Sequence, residues 1–110
     1  ARRTRTGGEE ILVFGVIRVK PDERSCFVND HQIELTRKEH ELLLYLMANR
    51  NRVITKESIA DFLWGEYGGG YGSYDFVYTH LKNLRRKLVD AGSPDYIQNI
   101  YGVGYKFTLE

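Results

Sequence analysis

Apolar and polar positions follow two different rhythms along this chain. Between residues 11 and 35 the rhythm is short. Apolar-rich runs at 11–14, 16–20, 26–28 and 32–35 are divided by Pro21-Asp22 and Asn29-Asp30, a pattern that predicts a four-stranded antiparallel meander. From Thr36 onward the apolar positions recur every three or four residues instead. Thr36 with Glu39 three places later forms a capping box, opening a helix that buries Leu42, Leu43 and Leu46 and ends near Asn49. Thr55 caps a second helix with Glu57 in its first turn and Ile59, Phe62 and Leu63 as its inner side, ending at Trp64. A third helix is predicted over residues 73–88 with Ser73 as its cap. Gly92, Ser93 and Pro94 stop it, and two further strands, 96–100 and 105–109, flank Gly102-Val103-Gly104.

The third helix is the most informative segment. Val77, Leu81, Leu84 and Leu88 fall on one stripe, which leaves Asp75, Thr79, Lys82, Asn83 and Arg86 on the other side. Its four cations, Lys82, Arg85, Arg86 and Lys87, face the single carboxylate Asp75, a local +3 in a chain whose net charge is only +1. Charge is therefore concentrated where a groove-reading helix needs it. Two helices, a turn and a hairpin after the second make a helix-turn-helix followed by a wing. The expected fold is α+β: a winged helix-turn-helix with an N-terminal four-stranded antiparallel sheet, three helices and a C-terminal β-hairpin wing.

A length of 110 residues fits one domain, which buries roughly two-thirds of the surface its unfolded chain exposes. Residues 1–10, with three arginines and no apolar periodicity, are expected to be a linker or tail ahead of a domain at 11–110. The lone Cys26 forms no internal disulfide, and no apolar run approaches the roughly 20 residues that span a bilayer. A cytoplasmic protein without a membrane segment is the expectation. Residues 65–72 hold five glycines and two tyrosines, too many permissive positions for a helix, and so form a loop. No Gly-Lys-Ser/Thr follows Gly68-Gly69-Gly70, and Gly102-Val103-Gly104 lacks the strand-to-helix setting of a dinucleotide site. His31, His40, His80 and Cys26 show no metal-ligand spacing, and no nucleophile, base or paired-carboxylate arrangement emerges. Neither cofactor, metal nor enzymatic activity is expected.

Several segments in order resemble the winged-helix output domain of OmpR/PhoB-type two-component response regulators. They are Ile33-Glu34-Leu35-Thr36 with Glu39 and Leu42-Leu43; Val53-Ile54-Thr55-Lys56-Glu57; Leu63-Trp64-Gly65; Val77, His80, Leu81 and Leu84-Arg85-Arg86-Lys87-Leu88; and Gly102-Val103-Gly104-Tyr105-Lys106-Phe107. The resemblance implies sequence-specific binding of double-stranded DNA and transcription regulation within a phosphorelay. It also implies an N-terminal receiver domain, a sensor histidine kinase and RNA polymerase as partners, and a monomer that pairs on DNA repeats.

Carried over by position, the resemblance implies that Trp64, His80, Lys82, Arg85 and Tyr105 contact phosphates, while Asn83 and Asn99 meet base edges. Lys87 joins the phosphate set by its charge. Thr79 and Arg86 join the base set by their place on the outer side of the helix. Tyr101, Gly102, Val103 and Gly104 form the wing, and Gly65, Glu66, Tyr67 and Tyr71 stand where such proteins contact polymerase. Three positions depart from the family: Asn83 is often arginine, Tyr101 replaces an arginine that commonly enters the minor groove, and Asp75 lies where the helix entrance is often basic. Each departure weakens phosphate attraction. Competing readings are a solvated basic face, His80 as a satisfied edge histidine, and Trp64 as a core residue. At the level of the whole protein they are an interaction module using the Gly/Tyr-rich loop, or the DNA-binding part of a membrane-linked one-component sensor.

Overall fold

The computed structural model describes residues 2–6, 9–64 and 74–109, and the side chains within them from residue 10 onward apart from that of Trp64. Its first sheet is antiparallel and follows chain order: β1 (Arg2–Thr6), β2 (Glu9–Phe14), β3 (Ile17–Lys20), β4 (Ser25–Val28) and β5 (His31–Ile33). The four expected strands are all present, and a fifth extends them. Residues 2–6, expected as linker or tail, pair with β2 in a register running from Arg2 opposite Val13 to Thr6 opposite Glu9. The segment reads RRTRT and holds no apolar residue, so no alternation signals the strand. Asn29 and Asp30, both at positive φ, make the tight turn between β4 and β5. Ile17, Val19, Cys26 and Val28 form the buried side of the sheet.

Helix α1 (Arg37–Ala48) begins with the expected capping box. The Glu39 amide donates to Thr36 Oγ1 at 3.2 Å, and Glu39 Oε1 accepts from the Thr36 amide at 3.0 Å. Leu42, Leu43, Leu46 and Met47 pack inward from it. Helix α2 (Lys56–Trp64) is capped by Thr55, whose hydroxyl accepts the Ser58 amide at 3.1 Å. Lys38 Nζ donates to the Leu63 carbonyl at 2.6 Å, occupying one of the acceptors that a helix leaves open at its C-terminus. Phe62, expected inside, is instead 38% exposed and lies stacked on Tyr45 with ring centroids 4.3 Å apart. Ile59, Ala60 and Leu63 supply the inner side of α2 without it.

Helix α3 (Asp75–Asp90) starts two residues beyond the expected position: Tyr74 occupies the cap site and makes no side-chain capping bond, while Ser73 lies outside the described residues. Its far end is a Schellman motif. Gly92, at φ +111, donates to the Val89 carbonyl, and the Ser93 amide reaches back to the Leu88 carbonyl at 3.0 Å.

A second sheet places β8 (Gly104–Phe107) between β7 (Ile97–Ile100) and β6 (Val53–Thr55), a strand that no periodicity announced. Gly104 lets β8 approach β6, since a Cβ there would collide with the Ile54 carbonyl oxygen. Tyr96 joins this sheet region to the first sheet. Its hydroxyl accepts the Val16 amide at 3.2 Å, and its ring meets Phe14 and Phe107 edge-on. One core thus runs from the first sheet through α1 and α3 to Phe107. Cys26 is part of it, and burial pushes its thiol up to about 12, which leaves it protonated and unreactive.

Candidate nucleic-acid interface

Helix α3 separates its two sides as its spacing predicts. Val77, Leu81, Leu84 and Leu88 are at most 3% exposed, whereas Thr79, Lys82 and Arg86 are exposed and Asn83 is half-buried. The inner stripe fixes the helix to the body of the protein, and the outer residues stand clear of it.

The four cations of α3 divide into two pairs with different surroundings. Lys82 and Arg86 have no ion-pair partner among the described residues, so their charge is available to an external anion. Lys87 is not available in this way: its ammonium donates to Glu39 Oε1 at 2.6 Å, and the Glu39 side chain is nearly fully buried. Burial alone would raise the Glu39 carboxyl, but the hydrogen bonds from Lys87 and Thr36 outweigh it and hold the group below its ordinary value of 4.5. The phosphate contact expected of Lys87 therefore competes with this internal ion pair. A buried carboxylate needs a paired cation, and Lys87 serves that need. Arg85 is also engaged. Its Nε donates to both carboxylate oxygens of Asp95 at 3.0 and 2.9 Å, and its Nη1 donates to Asn99 Oδ1 at 3.2 Å.

His80 and Tyr105 flank this side of the helix. His80 Nδ1 donates to the Phe76 carbonyl at 2.7 Å, so in the neutral ring Nε2 carries no proton and donates only when the imidazole is protonated. Tyr105 stands opposite Asn99 in the β7–β8 ladder. Its hydroxyl is raised above 10 by burial and by neighbouring Tyr78, with Arg85 opposing, and so remains a hydrogen-bond donor.

The turn between β7 and β8 projects outward: Tyr101 is 101% and Val103 49% exposed, and Gly102 adopts φ +75. A groove of about 330 Å3 lies beside this turn, lined by Lys56, Tyr78, Asn99, Tyr101 and Tyr105 among others. Of these, Lys56 and Tyr78 were not foreseen. A signal for Lys56 existed in its position: a cation in the first turn of a helix opposes the helix dipole and so has little local reason to be there. Tyr78 carried none, because its place follows from how α3 is turned against β8. The side chain of Trp64 and all of Gly65, Glu66, Tyr67 and Tyr71 lie outside the described residues. Among the described residues no cluster of three His, Cys, Asp or Glu side chains forms a metal-holding group, and no helix is long and apolar enough to cross a membrane.

A family model described as "Transcriptional regulatory protein, C terminal" matches residues 30–107. The transcriptional regulatory protein SrrA of Staphylococcus aureus is 33% identical over 103 residues, which are 92% of this chain and 42% of SrrA. The response regulator DrrB of Thermotoga maritima, described as an OmpR/PhoB homolog, superposes with a TM-score of 0.75 at 32% identity, covering 89% of this chain and 44% of DrrB. The DNA-binding domain of Klebsiella pneumoniae RstA, solved in complex with the RstA box, shares the fold with a TM-score of 0.77 at 21% identity over 89% of this chain and 96% of that domain. The chain spans less than half the length of SrrA and DrrB.

Proposed function

The chain belongs to the family described as transcriptional regulatory protein, C terminal, and on that premise we propose that it binds duplex DNA as the transcription-regulating output domain of a two-component response regulator. The observation that carries this reading is the two-sided α3: an inner stripe buried to 3% or less and an outer side bearing Thr79, Lys82, Asn83 and Arg86. In this reading α3 enters the major groove. Lys82 holds phosphate, Asn83 reads a base edge through its paired donor and acceptor, and Thr79 and Arg86 flank it. Tyr101 and Val103 in the wing reach toward the adjoining groove, with the Tyr105 hydroxyl and Asn99 behind them. His80 meets phosphate through Nε2, its Nδ1 being held by the Phe76 carbonyl.

The remainder of the proposal is a cytoplasmic protein in which a receiver domain precedes this chain and takes phosphate from a histidine kinase. RNA polymerase is the downstream partner. Off DNA the domain is a monomer, and two copies gain affinity by occupying repeated half-sites.

The test is a titration of duplexes, first selected from a random pool, at several salt concentrations. Log affinity falls with log salt by about 0.9 per neutralised phosphate. Lys82→Ala lowers affinity for all duplexes alike and reduces that slope by about one. A flat salt response would sink the reading and favour a protein-interaction module.

A further inference from the structure

Asp95 is the carboxylate that holds Arg85. It lies just before β7, receives the Ile97 amide on Oδ1 at 3.3 Å, and takes both of its bonds from Arg85 on the same guanidinium nitrogen. Arg85 in turn donates from Nη1 to Asn99. The three residues form a chain from α3 to β7: carboxylate, guanidinium, carboxamide. A guanidinium has only donors, so the atom of Asn99 that faces it must be the amide oxygen. The exposed Asn99 therefore has its oxygen turned toward Arg85 with one of its two lone pairs engaged, and its NH2 group is left for an external partner.

We propose that Arg85 is a positioning residue, held by Asp95, that fixes the Asn99 carboxamide with its oxygen inward so that Asn99 reads base edges through its NH2 group. This deepens the DNA-binding reading and rests on it. A carboxamide with both groups free accepts and donates, and pairs bidentately with adenine. One whose oxygen is turned inward onto a guanidinium leaves its NH2 hydrogens as the groups it presents outward. Asn99 then favours base pairs that present an acceptor at the contacted edge and disfavours those that present an amino group there. The Asp95 carboxylate meanwhile offsets the Arg85 charge, so Arg85 adds little to the counterion release that gives DNA binding its salt dependence.

A double-mutant cycle on this chain, using a duplex selected by the wild type and a random duplex, tests the assignment. Arg85→Gln and Asn99→Ala each weaken binding to the selected duplex by about tenfold and relax preference at the same base position. The double variant is no weaker than either single one, because Arg85 acts through Asn99. The salt slope of the paired variant Arg85→Gln with Asp95→Asn stays at the wild-type value, because both charges of the pair are removed together. Asp95→Asn keeps an acceptor for the Ile97 amide, and so tests the relay without removing the anchor of β7. It tightens binding to random duplex, steepens the salt slope by about one as the Arg85 charge is released, and lowers preference at the Asn99 position.

Additive losses, or a slope reduced by one in the paired variant Arg85→Gln with Asp95→Asn while preference stays intact, would make Arg85 a phosphate contact and overturn the proposal. Unchanged preference in Asp95→Asn would overturn it as well. Absence of salt-dependent duplex binding by the wild type removes the DNA reading itself and this inference with it, an outcome separable from the others because it appears before any substitution is made.

Discussion

The junction of α1 with α3 and the turn between β7 and β8 treat their most conspicuous side chains in opposite ways. At the junction Glu39, a carboxylate, is only 3% exposed and is met by Lys87 and Thr36 on every side that matters. At the turn Tyr101, an aromatic ring, has no cover at all. A charge inside and a ring outside reverse the usual distribution, and each does so for a local reason. The buried carboxylate closes a capping box and ties two helices together. The exposed ring has no cover from the described residues and adds nothing to their packing. Substitution at the junction should therefore cost stability, and substitution at the turn should cost binding.

Four measurements break or sharpen that contrast. Leu84→Ala removes a fully buried side chain from the inner stripe of α3 and should lower unfolding free energy by about 3 kcal/mol in urea titrations, as core truncations do. A loss below about 1 kcal/mol would mean that α3 is not seated as described. Lys87→Ala comes next, at about 2 kcal/mol, since it leaves a buried carboxylate without its cation. Its salt slope for duplex binding should not change. A slope reduced by one with stability intact would return Lys87 to the phosphate contacts and erase the contrast.

The third measurement is the acid limb of stability. The Glu39 carboxyl is held below 4.5 in the folded protein, so its stabilising contribution is complete above that pH and is lost as pH falls through the lower folded value. His40 acts at higher pH. Burial, reinforced by Arg24 and opposed by Glu41, lowers its pKa below 6.5, and its Nδ1 is buried without a hydrogen-bond partner. The unfolded chain thus takes up a proton that the folded chain resists, and stability declines as pH drops below 6.5. His40→Leu should flatten that first decline and leave the one below 4.5. If the variant keeps the decline below 6.5, His40 is not its source. The smallest stability effect belongs to Tyr101→Ser, within about 0.5 kcal/mol of wild type, accompanied by weaker duplex binding. A large loss of stability there would show that the wing is packed against the body.

Local patterns in the chain carried much of this architecture, and contacts between distant segments carried the rest. The capping box at Thr36, the stripe on α3 and the glycines of the wing each depend on residues a few places apart, and each was readable. Strand β6 was not: three residues ending in a helix cap are too few for alternation to register, and their partner β8 lies about fifty residues on. The pairing of residues 2–6 was hidden because that segment holds no apolar residue for periodicity to register. In the candidate interface the outer side of α3 followed from periodicity, but the destinations of its cations did not. Lys87 and Arg85 look equivalent to Lys82 in sequence, and only the approach of Glu39 from α1 and of Asp95 from the entry to β7 separates them.

Thr55 is at once the last residue of β6 and the cap of α2, and β6 is zipped to β8 where Gly104 admits no side chain. The outer arm and the base of the second rod therefore share a hinge pin. A displacement of β8 would pass through the β6 ladder to the first turn of α2 without crossing solvent.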